Sequence, residues 1–267
     1  MSESEARPTP VQENARILAN EKLDGRLFLM TLAAPRIARS VLPGQFIHLR
    51  LPALADHILR RPFGVYDRDV QRGTIDVLYQ VVGAGTAYMS GLPAGECCDL
   101  LGPLGQGWSL FPEVRRALVV AGGAGAAPLY LFTAHMLAKD VEVDVVLGAQ
   151  TKGALVMRER FSALMGHEPS CSTDDGSYGY HGFATGPAGE LLAENSYDQV
   201  YCCGPEPMMR AVADLARQAQ VGCQVSLEKR MACGVGACLS CIVETTEGRR
   251  RSCVDGPVFD AEKVVWA

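Results

Sequence analysis

The chain has 267 residues, is 48% hydrophobic and 21% charged, and carries a net charge of −5. That length implies about two domains, and the charge excludes the basic stripe that a nucleic-acid surface needs. Ten cysteines in a chain this long exclude a small secreted disulfide scaffold.

Residues 1–11 are expected to form a polar tail. They contain no apolar h-region, which argues against a signal peptide and for the reducing cytoplasm. From 12 to 113 the segments VLPGQFIHLRLP, GTIDVLYQVVGAGT and ECCDLLGPLGQGW alternate apolar and polar residues between glycines and prolines. Short strands at such spacing predict an antiparallel barrel or sandwich, with only a short helical turn at Thr86 to Gly91. Arg61-Pro-Phe-Gly-Val-Tyr66 puts a cation beside aromatics. Arg61 can pair with a pyrophosphate, and Phe63 or Tyr66 can pack on a flavin ring. The backbone at Gly83-Ala-Gly-Thr86 can cradle a phosphate. Taken alone, Arg61 reads as a surface charge, and the case for a ligand comes from the set.

From 114 to 221 strands alternate with helices, which predicts a parallel sheet covered on both faces. Ala117 to Leu137 lacks Asp, Glu, Lys and Arg over a bilayer-spanning length, but Gly122, Gly123, Gly125 and Pro128 break it into strand, turn and helix. No membrane span is expected. AGGAGAAPL is not the G-x-G-x-x-G fingerprint, and a glycine-rich turn is often only a turn. Cys203-Gly-Pro205 opens a second such turn. Two glycine turns at the carboxyl edge of one sheet favour a dinucleotide. Lys152, Arg158 and Arg160 read as a solvated helix face, and Asp174-Asp175 is acidic where a 2′-phosphate wants cations, so NAD is favoured over NADP.

From 222 to 267 lies a small cysteine-bearing module. Cys233, Cys238, Cys241 and Cys253 follow C-x4-C-x2-C…C, the plant-type [2Fe–2S] ligand spacing. Gly234 and Gly236 allow tight backbone and let amides approach the sulfides. Structural zinc is a competing reading, although zinc ribbons show two C-x2-C pairs. A redox pair at Cys238 and Cys241 is weaker still, since no helix opens there after a strand. Cys97, Cys98, Cys171, Cys202, Cys203 and Cys223 show no ligand spacing and are expected to be small buried hydrophobes.

The set RRPFGVYD, YQVVGAGT, LLGPLGQGW, VVAGGAGAAPL, CCGPEPMM, SLEKRMACGVGACLSC and RRSCVDGPVF resembles the electron-transfer subunits of NAD-dependent (class 1B) dihydroorotate dehydrogenases, within the ferredoxin–NADP⁺ reductase-like superfamily. The resemblance covers nearly the whole chain after the tail. It implies a multidomain α+β protein: a flavin β-barrel, a central α/β nucleotide-binding domain and a C-terminal [2Fe–2S] module. FAD would be held by Arg61, Pro62, Phe63 and Gly64, by Leu78, Tyr79 and Gln80, and by Gly85 and Thr86. NAD(H) would lie at Gly122, Gly123 and Gly125 and at Cys203, Gly204 and Pro205, and the four cysteines would bind the cluster. No side chain is assigned as catalytic acid, base or nucleophile. Gly64 departs from the family, which usually has Ser or Thr there.

The implied partner is an FMN-containing dihydroorotate dehydrogenase catalytic subunit, in a heterotetramer serving pyrimidine biosynthesis. Electrons would pass from that subunit through the cluster to FAD and then to NAD⁺, because the cluster carries one electron and the nicotinamide two. A flavoprotein subunit of a hydrogenase, transhydrogenase or other reductase would use the same cofactors. A zinc-stabilised interaction module would be colourless.

Overall fold

The computed structural model describes residues 8–51 and 59–266. Of the expected tail, residues 8–10 have no regular structure, residues 1–7 lie outside the described region, and Val11 already opens the first strand.

Strands β1 (Val11–Asp24) and β2 (Leu27–Ala33) form a hairpin across Gly25-Arg26, where Gly25 takes φ +48°. A short helix α1 (Pro35–Ser40) starts with proline, whose missing N–H costs nothing in a first turn. Then come β3 (Phe46–Arg50), β4 (Arg61–Gly64), β5 (Asp67–Asp69), β6 (Thr74–Gln80), helix α2 (Ala84–Ser90) and β7 (Cys97–Leu104). The strand order is β4-β3-β7-β1-β2-β6-β5, with every neighbour antiparallel. The two edges meet at residues 65 and 66. Val65 N–H donates to Gln45 O ahead of β3, and Tyr66 N–H donates to Asp76 O on β6, which curls the sheet into a barrel. Ile17, Met30, Leu32, Ile47, Leu49, Ile75 and Val77 fill it. Helix α2 replaces the expected turn at 86–91 and begins two residues earlier.

The second sheet is built from β8 (Arg116–Gly122), α3 (Ala127–Leu137), β9 (Glu142–Ala149), α4 (Arg158–Met165), β10 (Ser170–Thr173), β11 (Tyr180–His181), α5 (Thr185–Glu194), β12 (Gln199–Cys203), α6 (Glu206–Gln218) and β13 (Gly222–Ser226). Residues 117–122 of β8 are all buried, as befits a central parallel strand covered on both faces. The charge-free run from 117 to 137 is therefore strand, glycine turn and helix. No helix among the described residues is long and apolar enough to cross a membrane. A hairpin of β14 (Ile242–Thr245) and β15 (Gly248–Arg251) follows, and β16 (Val258–Asp260) then pairs antiparallel with β13. The sheet order is β11-β10-β9-β8-β12-β13-β16. The segment from 222 thus differs from an independent module. Its first strand belongs to the central sheet, and its last strand covers that sheet's edge.

Barrel and sheet share a core. Leu29, Tyr66 and Leu78 pack with Trp108, Phe132 and Tyr201, and Trp108 Nε1 donates to Pro128 O at 2.8 Å. The Tyr66 ring stacks on Tyr130 at 4.6 Å, with the Arg160 guanidinium 5.6 Å from its centre. Two sequence expectations change here. Tyr66 is fully buried in this contact and has no face left for a flavin. Arg160 leaves the solvated helix face to bind the barrel. A third correction concerns Cys97, which lies exposed at the start of β7 while the other five non-ligand cysteines are buried.

Candidate cofactor sites

The loop between β13 and β14 carries three of the four cysteines and turns through three left-handed residues: Gly234 (φ +70°), Gly236 (φ +83°) and Leu239 (φ +58°). Wrapping a short loop around a cluster needs such residues. The four thiols fall into two pairs. Cys238 N–H donates to Cys233 Sγ at 3.4 Å, near the surface. Cys241 and Cys253 are buried and hydrogen-bonded to each other. Backbone donors point at these sulfurs: Gly236 N–H at Cys253 and Ser240 N–H at Cys238, whose Sγ also lies 3.1 Å from Ser240 Oγ. Among the described residues no three or more His, Cys, Asp or Glu side chains converge as a single-ion site. Two thiol pairs with amide donors aimed at sulfur are the division that a two-iron cluster requires, so the residues fit that group.

The pairs differ in chemistry. The Ser240 hydroxyl and amide hold the Cys238 thiol down to about 6, whereas burial and the Cys241 neighbour push Cys253 up to about 12. In cluster-free protein Cys238 is expected to be alkylated first, and its rate should fall as pH drops through about 6, where the thiolate is lost. Peptide mass spectrometry after brief iodoacetamide exposure checks this. Equal labelling of Cys238 and Cys253 at neutral pH would contradict it.

The cluster loop seats on the barrel. Cys241 and Cys253 pack against Phe46 and Leu104. Gln106 N–H donates to Gly256 O at 2.5 Å. Gly105 has φ +80°, and a Cβ there would lie 2.7 Å from Pro257 and 2.8 Å from Phe46, so only glycine admits this docking.

The expected flavin residues gather on one side of the barrel. Arg61, Pro62, Phe63 and Gly64 form β4 and are all half-buried. The Arg61 guanidinium lies over Gly85, where a Cβ would fall on it, so these two expected residues are brought together. Thr86 Oγ1 accepts from Val82 N–H at 2.9 Å and Gly83 N–H at 3.2 Å, which fixes the turn that opens α2. Leu78 and Tyr79 are buried. Leu78 joins the interdomain core, and Tyr79 donates its hydroxyl to Asn20 Oδ1 at 2.9 Å, with its ring edge-on to Phe63. Only their backbone remains for a ligand, while Gln80 is exposed.

The two glycine turns meet at the switch point between β8 and β12, where Ala121 pairs with Cys203. A Cβ at Gly125 would lie 2.4 Å from Cys203 O and 2.7 Å from Gly204 N, and one at Gly122 would lie 2.9 Å from Pro205 Cδ. Gly123 takes φ +54° into open space. Helices α3 and α6 start from these turns, so their free amides converge there. The Cys203 thiol points inward, donating toward Ser226 O, and burial pushes it up to about 12. Its side chain is thus a neutral part of the core.

Sequence reasoning missed Phe46 and His48 as neighbours of the cluster loop, and Ser240 as a donor. The signal for His48 was a polar residue inside the apolar strand FIHLR.

Three family models match in series: an oxidoreductase FAD-binding domain over 15–108, an oxidoreductase NAD-binding domain over 119–214, and the iron–sulfur cluster binding domain of dihydroorotate dehydrogenase B over 228–265. The chain is 38% identical over 261 residues to the dihydroorotate dehydrogenase B (NAD(+)) electron transfer subunit of Bacillus caldolyticus, covering 95% of this chain and 98% of that protein. The Desulforamulus reducens counterpart is 36% identical over 257 residues, with the same coverage. Among solved structures, one of an NADH-dependent reduced ferredoxin-NADP oxidoreductase matches with a TM-score of 0.86 and 31% identity over 94% of this chain and 90% of that one. The ferredoxin reductase in carbazole 1,9a-dioxygenase shares the fold at a TM-score of 0.67 and 21% identity, over 79% of this chain and 67% of that one. With three cofactor domains in this order and relatives matched almost end to end, the chain belongs to the family of dihydroorotate dehydrogenase B electron transfer subunits.

Proposed function

We propose that this chain carries electrons from an FMN-containing dihydroorotate dehydrogenase catalytic subunit to NAD⁺, within a cytoplasmic heterotetramer. FAD lies over residues 12–113, NAD(H) over 114–221 and the cluster over 222–267. One observation carries the reading. Phe46 touches the buried cysteine pair and is the β-ladder partner of Gly64, and Gly64 lies against the first turn of α3. The candidate flavin strand therefore sits between the thiols and the nicotinamide turns. When bound, the flavin exchanges electron pairs with a nicotinamide and single electrons with a cluster. The chain's own residues divide the rest. Arg61 and the α2 turn bind phosphate, the α3 and α6 amides hold the second dinucleotide, and Gly236 and Ser240 orient sulfur.

Preference for NAD is supported by the cations that follow β9, which are already engaged. Arg158 pairs with Glu168 at 3.0 Å and donates to Tyr178, Lys152 lies over the Tyr178 ring, and Arg160 is under the barrel. Asp174 and Asp175 follow β10 at the same edge.

The test is reconstitution. The chain with its cofactors is mixed with the catalytic subunit, dihydroorotate and NAD⁺, and NADH is followed. Formation that needs both proteins supports the assignment. An inert mixture, with NADH oxidation by a dye intact, points instead to a reductase serving another partner. The likeness to the NADH-dependent reduced ferredoxin-NADP oxidoreductase favours that as the second reading.

Gly64 supplies a finer test. A Cβ there would meet only Pro128 Cβ, at 3.8 Å, an ordinary contact. Gly64→Ser is therefore expected to fold normally and to restore the hydroxyl that the family resemblance places beside the flavin. A hydrogen bond worth about 1 kcal/mol in the transition state would speed flavin reduction by NADH roughly fivefold, with FAD affinity unchanged. Stopped-flow reduction measures it, and an unchanged rate would remove the hydroxyl's role.

A further inference from the structure

Strand β3 is buried on both faces because each face meets a different neighbour. Ile47 and Leu49 point into the barrel core. Phe46 and His48 point the other way, toward the cysteine loop, with their rings 5.8 Å apart. His48 is fully buried, and neither ring nitrogen has a hydrogen-bond partner among the described residues. A buried imidazole left so carries the full desolvation cost of its polar atoms, which native proteins rarely accept without a function.

The neighbouring cation does not relieve it. Arg60 spends its guanidinium on Asp99, through the carboxylate at 2.6 Å and the carbonyl at 2.8 Å, and on the His48 carbonyl at 3.4 Å. Burial and that cation hold the ring neutral, with its pKa lowered to about 4. A neutral imidazole has one N–H to give. The ring lies directly beneath the residue that follows Cys233. A Cβ on Gly234 would sit 2.7 Å from both Nδ1 and Cε1 of His48. Glycine is required at 234 twice over, by φ +70° and by this ring.

We propose that His48 donates a ring N–H to a sulfur on the Cys233 side of the iron–sulfur cluster and, as a positioning residue, raises the cluster's reduction potential. This rests on the assignment of the cluster to Cys233, Cys238, Cys241 and Cys253. The sign follows from charge. Reduction adds an electron, so a donor hydrogen bond stabilises the reduced form more and favours electron residence on the cluster.

The experiment uses the whole chain with FAD and cluster bound. In wild-type protein with isotopically labelled histidine, pulsed EPR of the reduced cluster should detect coupling to a histidine nitrogen. Only five histidines are present to assign. His48→Asn, whose amide nitrogen keeps a donor near the position of Nδ1, should lose that coupling and keep most of the potential. His48→Phe should shift the electron partition between cluster and flavin about tenfold toward the flavin, a fall of ~59 mV for a one-electron centre. An unchanged potential in His48→Phe at full iron content overturns the proposal, as does the absence of histidine coupling in the wild type. Should His48→Phe fail to fold, the labelled wild type and His48→Asn still decide. No two-iron signal and no bound iron in the wild type would overturn the ligand assignment itself, an outcome that iron analysis separates from failure of the His48 bond alone.

Discussion

Cys241→Ser is expected to abolish electron exchange with the catalytic subunit, by at least a hundredfold, while NADH oxidation by a dye that accepts from the flavin stays within about twofold of wild type. Cys241 belongs to the buried thiol pair that packs on Phe46. A serine there is a poor ligand to iron, whose clusters are held by thiolates. The scaffold has independent supports. The Cys241 carbonyl still accepts from Ser252 N–H at 2.8 Å, Gln106 still bonds Gly256, and the candidate flavin strand β4 is held by β3. Loss of cluster absorption together with retained dye activity checks the order of carriers. Equal loss of both activities would mean that the flavin does not stand between nicotinamide and cluster.

The second large effect is expected at Gly125. An alanine methyl would lie 2.4 Å from Cys203 O, 2.6 Å from its carbonyl carbon and 2.7 Å from Gly204 N. All three are backbone atoms on the adjacent turn, so no side chain can swing aside. Overpacking of a well-filled region costs roughly 1–3 kcal/mol, and backbone against backbone lies at the upper end. Separating the turns at β8 and β12 displaces the amides of α3 and α6 together. Gly125→Ala should therefore raise the KM for NADH tenfold or more, with FAD and iron content unchanged. Gly123→Ala is the internal comparison. It has open space but φ +54°, so it should act through backbone strain alone and cost less. Steady-state kinetics of both variants, with flavin content as the folding control, settle the ranking. An unchanged KM in Gly125→Ala would show that the nested turns do not form the nicotinamide site.

What was legible in the sequence was local. The four cysteines stood out because their C-x4-C-x2-C…C spacing is local to one loop and the hairpin that follows it. The two glycine turns did so because clustered glycines between an apolar strand and a helix mark a close backbone approach, which the structure shows between Gly125 and Cys203. The order of barrel, parallel sheet and cysteine segment followed from a change of hydrophobic period. The rest depended on long-range pairing that no window contains. Tyr66 reads as a flavin-facing aromatic until α4 brings Arg160 over it and α3 stacks Tyr130 beneath it. His48 reads as one residue of an apolar strand until Gly234 arrives above its ring. Cys97 reads as a core thiol, but strand alternation turns it outward and Cys98 inward. The spacing already favoured iron–sulfur over zinc, and the family resemblance added the partner subunit.

Strand β16 gives the chain an order of completion. Synthesis delivers β13, then the cysteine loop and its hairpin, and only afterwards the three residues that cover the edge of β13. Until they arrive, the dinucleotide half presents an unpaired strand edge, the kind of surface that recruits other chains. The cysteine loop is the tether that brings the cover back. The cover of the sheet edge and the cysteine loop therefore lie on one length of polypeptide, and a chain cut short after the loop would leave β13 as an open edge.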